Sequence, residues 1–357
     1  ERVFRVLIPK IEFANLDISS FDTVIDVRSP TEFNEDHISQ SINLPVLSDA
    51  ERALVGKTYK QESRFKARKI GASFIAKNTA KHLSRDLFSK SREWRPLIYC
   101  WRGGQRSAAF ATILSEIGWR PTLICGGYKN YRSEVTKLMH QNQNHLKLIL
   151  ISGHTGTGKT EVLRYLKKEG LQTINIEALA NHRGSVFGAM NEPQPKQKLF
   201  ESYIYEALIS LNDSKPIFVE AESRKIGTLV IPNILWNNMK VASKIELSSS
   251  ISERAVYLTK AYRDLTDDFE KLNRRLDYLK MQQGKERIDY WKSLSKTNEF
   301  LQLAEELITN HYDPRYNNSR KRANHELIGS LKLSKIKKPD LVQVARSINE
   351  LVSRMRL

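Results

Sequence analysis

The chain has 357 residues, enough for two domains of ordinary size with separate cores, and no run of 18 or more apolar residues that would read as a membrane span. Its 58 Lys and Arg against 40 Asp and Glu leave a net charge of +18, which favours a polyanionic partner over a merely solvated surface. Two cysteines, Cys100 and Cys125, are too few for a disulfide framework, so a reducing, cytoplasmic setting is expected.

The opening ERVFRVLIPK reads as a short mixed segment and not as a signal peptide. TVIDV, from Thr23, reads as a buried strand, followed by a loop SPTEF. From Arg52 to Lys69 the chain carries seven Lys or Arg and one Glu, a polar and basic stretch that precedes a helical pattern over 70–88. RPLIYC is a strand, SAAFATILSEIG a helix stopped by Gly118, and PTLICGGY a strand ended by its glycines. Strands alternating with helices predict an α/β domain with a parallel sheet over residues 1–139. Residues around 140–147 turn polar, as a junction does. LKLILISG then opens a second α/β unit, whose later strands are TINI, PIFVEAES and KIEL. Residues 266–307 are strongly helical, with Phe269, Leu272, Leu276 and Leu279 at helical spacing. Residues 140–320 are therefore expected as a phosphate-loop domain with a helical extension. Residues 321–357 are expected as a basic helical segment, with ten Lys or Arg and three acids from Arg320 onward.

Chemistry concentrates at two strand-to-helix junctions. GHTGTGKT, from Gly153 through Gly156 and Gly158 to Lys159 and Thr160, has the spacing of a phosphate-binding loop and lies between a predicted strand and helix. Its backbone N–H groups and helix N-terminus would meet phosphate oxygens, with Lys159 on the terminal phosphates and Thr160 able to hold Mg²⁺. Glu220 and Glu222 of VEAES end a strand where a carboxylate orients Mg²⁺ or water, or else pair with Arg224 and Lys225. His182, Arg183 and Ser185 of NHRGSVFG fall at the carboxyl edge of the same sheet, where open α/β folds bind ligands. No guanine-reading signature is present, and a kinase acting on a small molecule or on RNA stays open.

The other junction is YCWRGGQRS. Cys100 ends a strand at a helix N-terminus, where amides and the helix dipole stabilise a thiolate, and Arg102 and Arg106 add positive charge. Cys125, in the apolar run TLIC, reads as core. The C-x5-R length from Cys100 to Arg106 is that of a cysteine phosphatase; sulfurtransferases of the rhodanese type usually have a loop one residue shorter. Length alone points to a phosphatase.

The flanks point elsewhere. VIDVRSPTEFNEDHISQSINLP, YCWRGGQRS and GGYKNYR together resemble a rhodanese domain over most of residues 10–135. A rhodanese domain followed by SGHTGTGKT, HRGSVFG, VEAESRKIG and YDPRY resembles the bacterial tRNA 2-selenouridine synthase family, and these motifs span nearly the whole chain. Gln105 stands where a methionine is expected in that family, and Ala221 lies where other residues are usual; neither removes a reacting group.

The resemblance implies a tRNA-modifying enzyme that replaces sulfur by selenium in wobble 2-thiouridine. Selenophosphate would be the donor, and an S-geranylated intermediate would be made from geranyl diphosphate. Cys100 would then take up selenium as a perselenide, with Arg102 and Arg106 on the donor's anion, and the phosphate loop would cradle the diphosphate without consuming ATP. Mg²⁺ is a possible companion and no tightly bound cofactor is expected. The tRNA anticodon loop is the expected partner, with the selenophosphate-producing enzyme as a transient one and no membrane. Backbone contacts are expected from Arg64, Lys66, Arg68 and Lys69, from Arg274 and Arg275 on a helix, and from Arg320, Lys321 and Arg322. The competing readings are a cysteine phosphatase or sulfurtransferase fused to a kinase, and a non-catalytic RNA-binding switch.

Overall fold

A computed structural model describes residues 7–141, 145–320 and 325–354. Internal contacts divide the chain into two units, Glu1–Gln141 with Lys196–Glu206, and Asn142–Pro195 with Ala207–Leu357.

The first unit runs β1 (Lys10–Ile11), β2 (Thr23–Asp26), α1 (Pro30–Glu35), β3 (Ser41–Asn43), α2 (Asp49–Gln61), α3 (Arg64–Arg85), β4 (Pro96–Tyr99), α4 (Gln105–Ile117), β5 (Thr122–Ile124) and α5 (Gly127–Thr136). The sheet order is β1-β5-β4-β2-β3 with every pair parallel, so the expected α/β fold is found. All four residues of β4 are buried, as a strand covered on both faces requires. Ile25, Ile98 and Leu123 pack with Ile75 of α3 and with Phe110, Ala111 and Leu114 of α4.

Three local expectations change. SPTEF is not a loop: Ser29 and Glu32 form a capping box around Pro30 at the first helical turn, and α1 follows. The basic stretch is helical as well. Ser48 and Glu51 cap α2, Ser63 caps α3, and the two helices pack against each other. Their polar residues surround a narrow apolar stripe, which hides the helical period from the sequence. Cys125 lies just past β5 and is half-buried rather than core; burial and a hydrogen bond with Glu12 push its thiol up.

The second unit runs β6 (Leu148–Gly153), α6 (Lys159–Lys168), β7 (Gln172–Ile174), α7 (Ile176–Leu179), α8 (Gln197–Ile209), β8 (Ile217–Glu220), the hairpin β9 (Lys225–Ile226) and β10 (Leu229–Val230), α9 (Asn233–Val241) and β11 (Ser243–Ser248). Residues of α8 as far as Glu206 belong with the first unit. Next come α10 (Ile251–Ala261), α11 (Arg263–Thr266), α12 (Phe269–Asp277), α13 (Lys280–Gln283), α14 (Lys285–Lys296), α15 (Phe300–Leu307), a π-helical turn Ile308–Tyr312, α16 (Asp313–Arg320), β12 (Leu327–Lys332) and α17 (Lys338–Arg354). Its parallel sheet has the order β12-β11-β6-β8-β7, which puts β6 at the centre and the loop after it at the sheet's carboxyl edge. The helical stretch over 266–307 is broken at Gly284 and Asn298. Leu272, Leu276 and Leu279 enter its core, whereas Phe269 is 46% exposed.

Residues 321–357 do not form a separate helical segment. Their described part supplies the edge strand β12 and the helix α17, and Leu333, Leu341, Val344, Ala345 and Ile348 join Val162 and Leu166 of α6 in one core. Those apolar side chains tie the segment to the second unit despite its charge.

Candidate functional site

Cys100 follows β4 directly and is 3% exposed, with its sulfur facing the turn into α4. The Gly104 N–H donates to Sγ at 3.3 Å and the Ser107 hydroxyl donates at 3.2 Å. Two donors therefore converge on one sulfur. The loop is closed from below by the GGY motif. A Cβ on Gly127 would stand 2.2 Å from the Cys100 carbonyl oxygen and 2.6 Å from the Gly103 nitrogen, and φ at Gly127 is +57°, so only glycine fits. The Tyr128 N–H donates to the Cys100 carbonyl at 2.9 Å, and the Lys129 N–H to that of Trp101 at 2.9 Å.

Arg106 is engaged. Its Nη1 donates to Glu32 Oε2 at 2.8 Å, and Arg52 Nε reaches the same oxygen at 2.9 Å. Burial alone would raise the Glu32 carboxyl, but the hydrogen bond and charge of Arg106 outweigh it and hold that carboxyl below its ordinary range. Arg102 is exposed beside Trp101. Arg28, from the DVR motif, is fully buried: it forks onto Asp26, donates to the Asp36 carbonyl at 2.6 Å and lies 3.9 Å from the Tyr128 ring centroid. It braces the loop without reaching the sulfur's donors.

A groove with about 2150 Å³ of open space runs between α2, α3 and α4 and reaches the start of α4 at Gln105 and Arg106. Its charged lining is entirely basic: Arg52, Lys57, Lys60, Arg68 and Arg106. Among the described residues, Lys57, Lys60 and Arg68 form no ion pair. Tyr59 and Phe65 are exposed and carry Arg64 and Lys69 over their rings at 5.6 and 5.2 Å.

In the second unit, Gly153 ends β6, and Gly156 and Gly158 take φ of 85° and 76° on the way to α6. Lys159 Nζ donates back to the Gly153 carbonyl at 2.9 Å, and the Thr160 hydroxyl donates to Glu177 Oε2 at 2.9 Å. Three carboxyls crowd this point. Glu220 is fully buried; its Oε2 accepts the Ile176 N–H at 3.1 Å, while its Oε1 has no partner. Burial, then the charges of Glu177 and Glu222, push the Glu220 carboxyl well up. Glu222 is pushed up to about 8 by burial and by Glu177, against the opposing pull of Lys159. Neither Glu220 nor Glu222 pairs with Arg224 or Lys225.

The HRGSVFG loop folds beside these carboxyls. A Cβ on Gly184 would stand 2.6 Å from Glu177 Oε1 and 2.8 Å from Glu222 Oε2. His182 is buried, accepts the Gly184 N–H on Nδ1 at 3.1 Å, and is held below its usual range by burial and by Arg275 and Arg183. Arg183 pairs with Asp264 at 2.9 Å and lies 4.7 Å from the Tyr262 ring centroid, leaving its Nη1 without a partner. Ser185 and Tyr262 share a hydrogen bond at 3.0 Å. An almost wholly apolar cleft with about 520 Å³ of open space adjoins the phosphate loop: Thr155 of that loop lines it together with Phe187, Leu258, Tyr262, Leu303 and Tyr312.

A rhodanese-like domain model matches residues 12–134, and a model described as the tRNA 2-selenouridine synthase AAA domain matches residues 146–268. A curated tRNA 2-selenouridine synthase from Shewanella denitrificans is 32% identical over 342 residues, 87% of this chain and 92% of that one. The chain belongs to the tRNA 2-selenouridine synthase family. That family is one of tRNA-modifying enzymes. A second member, from Nitrosomonas europaea, is 37% identical over 235 residues, 65% of this chain and 61% of that one, so this match spans less than two thirds of the relative. Among solved structures, a rhodanese-related protein from Thermoplasma volcanium is 23% identical, covering 35% of this chain and 92% of that chain with a TM-score of 0.24.

The family's late YDPRY motif supports the phosphate loop. Asp313 holds Arg254 through two hydrogen bonds of 2.8 and 2.6 Å, and Arg254 Nε donates to the Thr155 carbonyl at 2.9 Å. Tyr316 lies 4.4 Å from the His154 ring. Sequence reasoning missed Glu32, Ser107, Glu177 and Arg254. Ser107 had a local signal as the residue directly after Arg106, and Glu32 lies within the quoted VIDVRSPTEF stretch.

The expected basic contacts are placed unevenly. Arg64, Lys66, Arg68 and Lys69 are exposed on α3, though Lys66 is paired with Glu62. Arg274 is exposed on α12, whereas Arg275 is half-buried over Tyr278. Arg320 ends α16, and Lys321 and Arg322 lie outside the described residues. Thr160 and Glu177 offer oxygen donors of the kind Mg²⁺ takes, and the buried, unpartnered Glu220 oxygen beside them fits a nearby cation. No group of three or more His, Cys, Asp or Glu among the described residues could hold a metal by itself, so the remaining ligands would come from phosphate and water. No described helix is long and apolar enough to cross a membrane.

Proposed function

We propose that this chain replaces sulfur by selenium in the wobble 2-thiouridine of tRNA, with selenophosphate as donor and an S-geranylated base as intermediate. The observation that carries the reading is the basic groove, which reaches the thiol loop at Gln105 and Arg106. A backbone of phosphates meets unpaired Lys57, Lys60 and Arg68 there, and exposed Tyr59 and Phe65 offer faces on which unstacked bases can lie. The Cys100 sulfur acts on the donor, and the exposed Arg102 can meet the donor's anion. Arg106 is already matched by Glu32 and serves to hold the loop's charge in place. The enzyme that makes selenophosphate would supply it directly.

The phosphate loop takes the diphosphate of geranyl diphosphate. Support comes from the apolar cleft beside Thr155, which suits a prenyl chain and offers a nucleotide base almost no polar partner. Lys159 must leave its own carbonyls to reach the diphosphate, and the Thr160 and Glu177 oxygens would hold Mg²⁺. A bound Mg²⁺ neutralises the charge that develops on departing diphosphate. Arg183, with one unpartnered nitrogen, adds a second cation at this sheet edge.

The test is mass spectrometry of nucleosides from 2-thiouridine-bearing tRNA incubated with the full chain, selenophosphate and geranyl diphosphate. 2-Selenouridine should form only when both small molecules are present; unchanged 2-thiouridine under all conditions refutes the reading. Calorimetric titration should show geranyl diphosphate binding more tightly than ATP, and tight binding of ATP alone would count against the assignment of the loop.

A further inference from the structure

We infer that Cys100 attacks the phosphorus of the selenium donor, not its selenium, so that the loop works as a cysteine phosphatase does and releases selenide. The inference rests on the selenophosphate reading above and names the bond that breaks. Four features carry it. The thiol and Arg106 are spaced as C-x5-R, one residue longer than the usual sulfurtransferase loop. The residue after Arg106 is Ser107, whose hydroxyl donates to Sγ at 3.2 Å and so can stabilise the sulfur as a departing thiolate. The Gly104 N–H donates to the same sulfur at 3.3 Å. Arg106 is fixed by Glu32 Oε2 at 2.8 Å, which pins its guanidinium at the start of α4.

Electron balance decides between the two atoms. If the thiolate attacked selenium to make a perselenide, the bonding pair would remain on phosphorus and phosphite would leave. No oxidant is at hand to return it to phosphate. If the thiolate attacks phosphorus, an S–P bond forms and the P–Se bond breaks. Selenium departs with the pair as hydrogen selenide, at the oxidation state it already had. Selenide is the nucleophile needed at C2 of the S-geranylated base, where a C–Se bond forms and geranyl thiolate leaves. Water then attacks the phosphocysteine, releasing inorganic phosphate and the Cys100 thiolate. Selenide leaves far more readily than an alkoxide, so this phosphatase-like step needs no Asp general acid.

The full chain is mixed with selenophosphate under reducing conditions, quenched in acid, and the peptide bearing Cys100 is weighed. A phosphoryl adduct without selenium is expected. It should accumulate about tenfold or more in Ser107→Ala, where the leaving thiolate loses its hydroxyl donor, and return to the original level in Ser107→Thr. A selenium adduct on Cys100 overturns the inference, and so does turnover of the donor by Ser107→Ala with Cys100 carrying neither group. Either result with tRNA selenation intact leaves the proposed function standing. Failure of the unaltered chain to selenate tRNA removes that function instead.

Discussion

The two anion loops share a position, each following a central parallel strand and opening a helix, but their charged groups are held differently. In the first unit the reacting atom is already dressed: two donors sit on the Cys100 sulfur, and Glu32 neutralises Arg106. In the second unit the charged groups are folded onto the protein itself, with Lys159 on the Gly153 carbonyl and Thr160 on Glu177. On the proposed reading, the first loop holds its nucleophile between fixed donors. The second awaits a ligand whose phosphates replace internal partners, and an apolar cleft lies beside it. Covalent chemistry needs a preorganised sulfur; leaving-group stabilisation needs cations that can be recruited.

The largest expected effect separates the loops outright. Cys100→Ser should abolish selenation and leave geranylation largely intact, measured as 2-selenouridine and S-geranyl-2-thiouridine in digested tRNA. Equal loss of both products would show that the loops do not divide the work. The converse substitution, Lys159→Ala, removes the ammonium from the diphosphate and should slow geranylation by about 10²-fold or more. Phosphate release from selenophosphate should be unchanged in this variant, as followed by ³¹P NMR. A parallel fall in phosphate release would tie Lys159 to the thiol chemistry.

Much of both loops was legible because their chemistry is local. A phosphate loop is eight consecutive residues whose glycines and lysine announce themselves, and Cys100, Arg106 and Ser107 fall within the single stretch YCWRGGQRS. Their counterions are not local. Glu32 reaches Arg106 across 74 positions and Asp313 reaches Arg254 across 59, and although each acid lies in a quoted motif, nothing there names its partner. The helical pattern over 70–88 covers most of α3, but α2 and the start of α3 stayed hidden because most of their residues face solvent, so charge masked the short apolar stripe. The reverse held for residues 321–357, where charge suggested a separate segment while buried Leu341, Val344 and Ile348 tie it to a core. Cys125 was misplaced by one residue: β5 ends at Ile124.

The groove beside the thiol loop gives a smaller and graded effect. Lys60→Ala and Arg68→Ala should each weaken tRNA binding and reduce the slope of log affinity against log salt by about 1, as loss of one phosphate contact does. Filter binding between about 50 and 200 mM salt reads both. An unchanged slope in both variants would mean that the tRNA backbone passes elsewhere.

The smallest effect belongs to the carboxyls under the phosphate loop. Glu222 is raised to about 8 by burial and by the charge of Glu177. A carboxyl whose folded-state value lies above its unfolded one binds its proton more tightly in the folded chain, so folding takes up protons between the two values. The stability this gives is complete below the ordinary glutamate range and is lost as pH rises through about 8. Glu222 is only partly buried, and after solvent screening the loss should be about 1 kcal/mol, or about 2–4 °C in melting temperature for a unit of this size. Glu222→Gln keeps a neutral side chain at every pH and should flatten the curve across that window, as followed by thermal melts from pH 6 to about 9. A cation held by Thr160 and Glu177 supplies the charge compensation that the proton otherwise gives, so adding Mg²⁺ with inorganic diphosphate should also flatten the slope in the unaltered chain. A slope that persists in Glu222→Gln would assign the proton to Glu220 instead, the buried acid whose second oxygen has no partner.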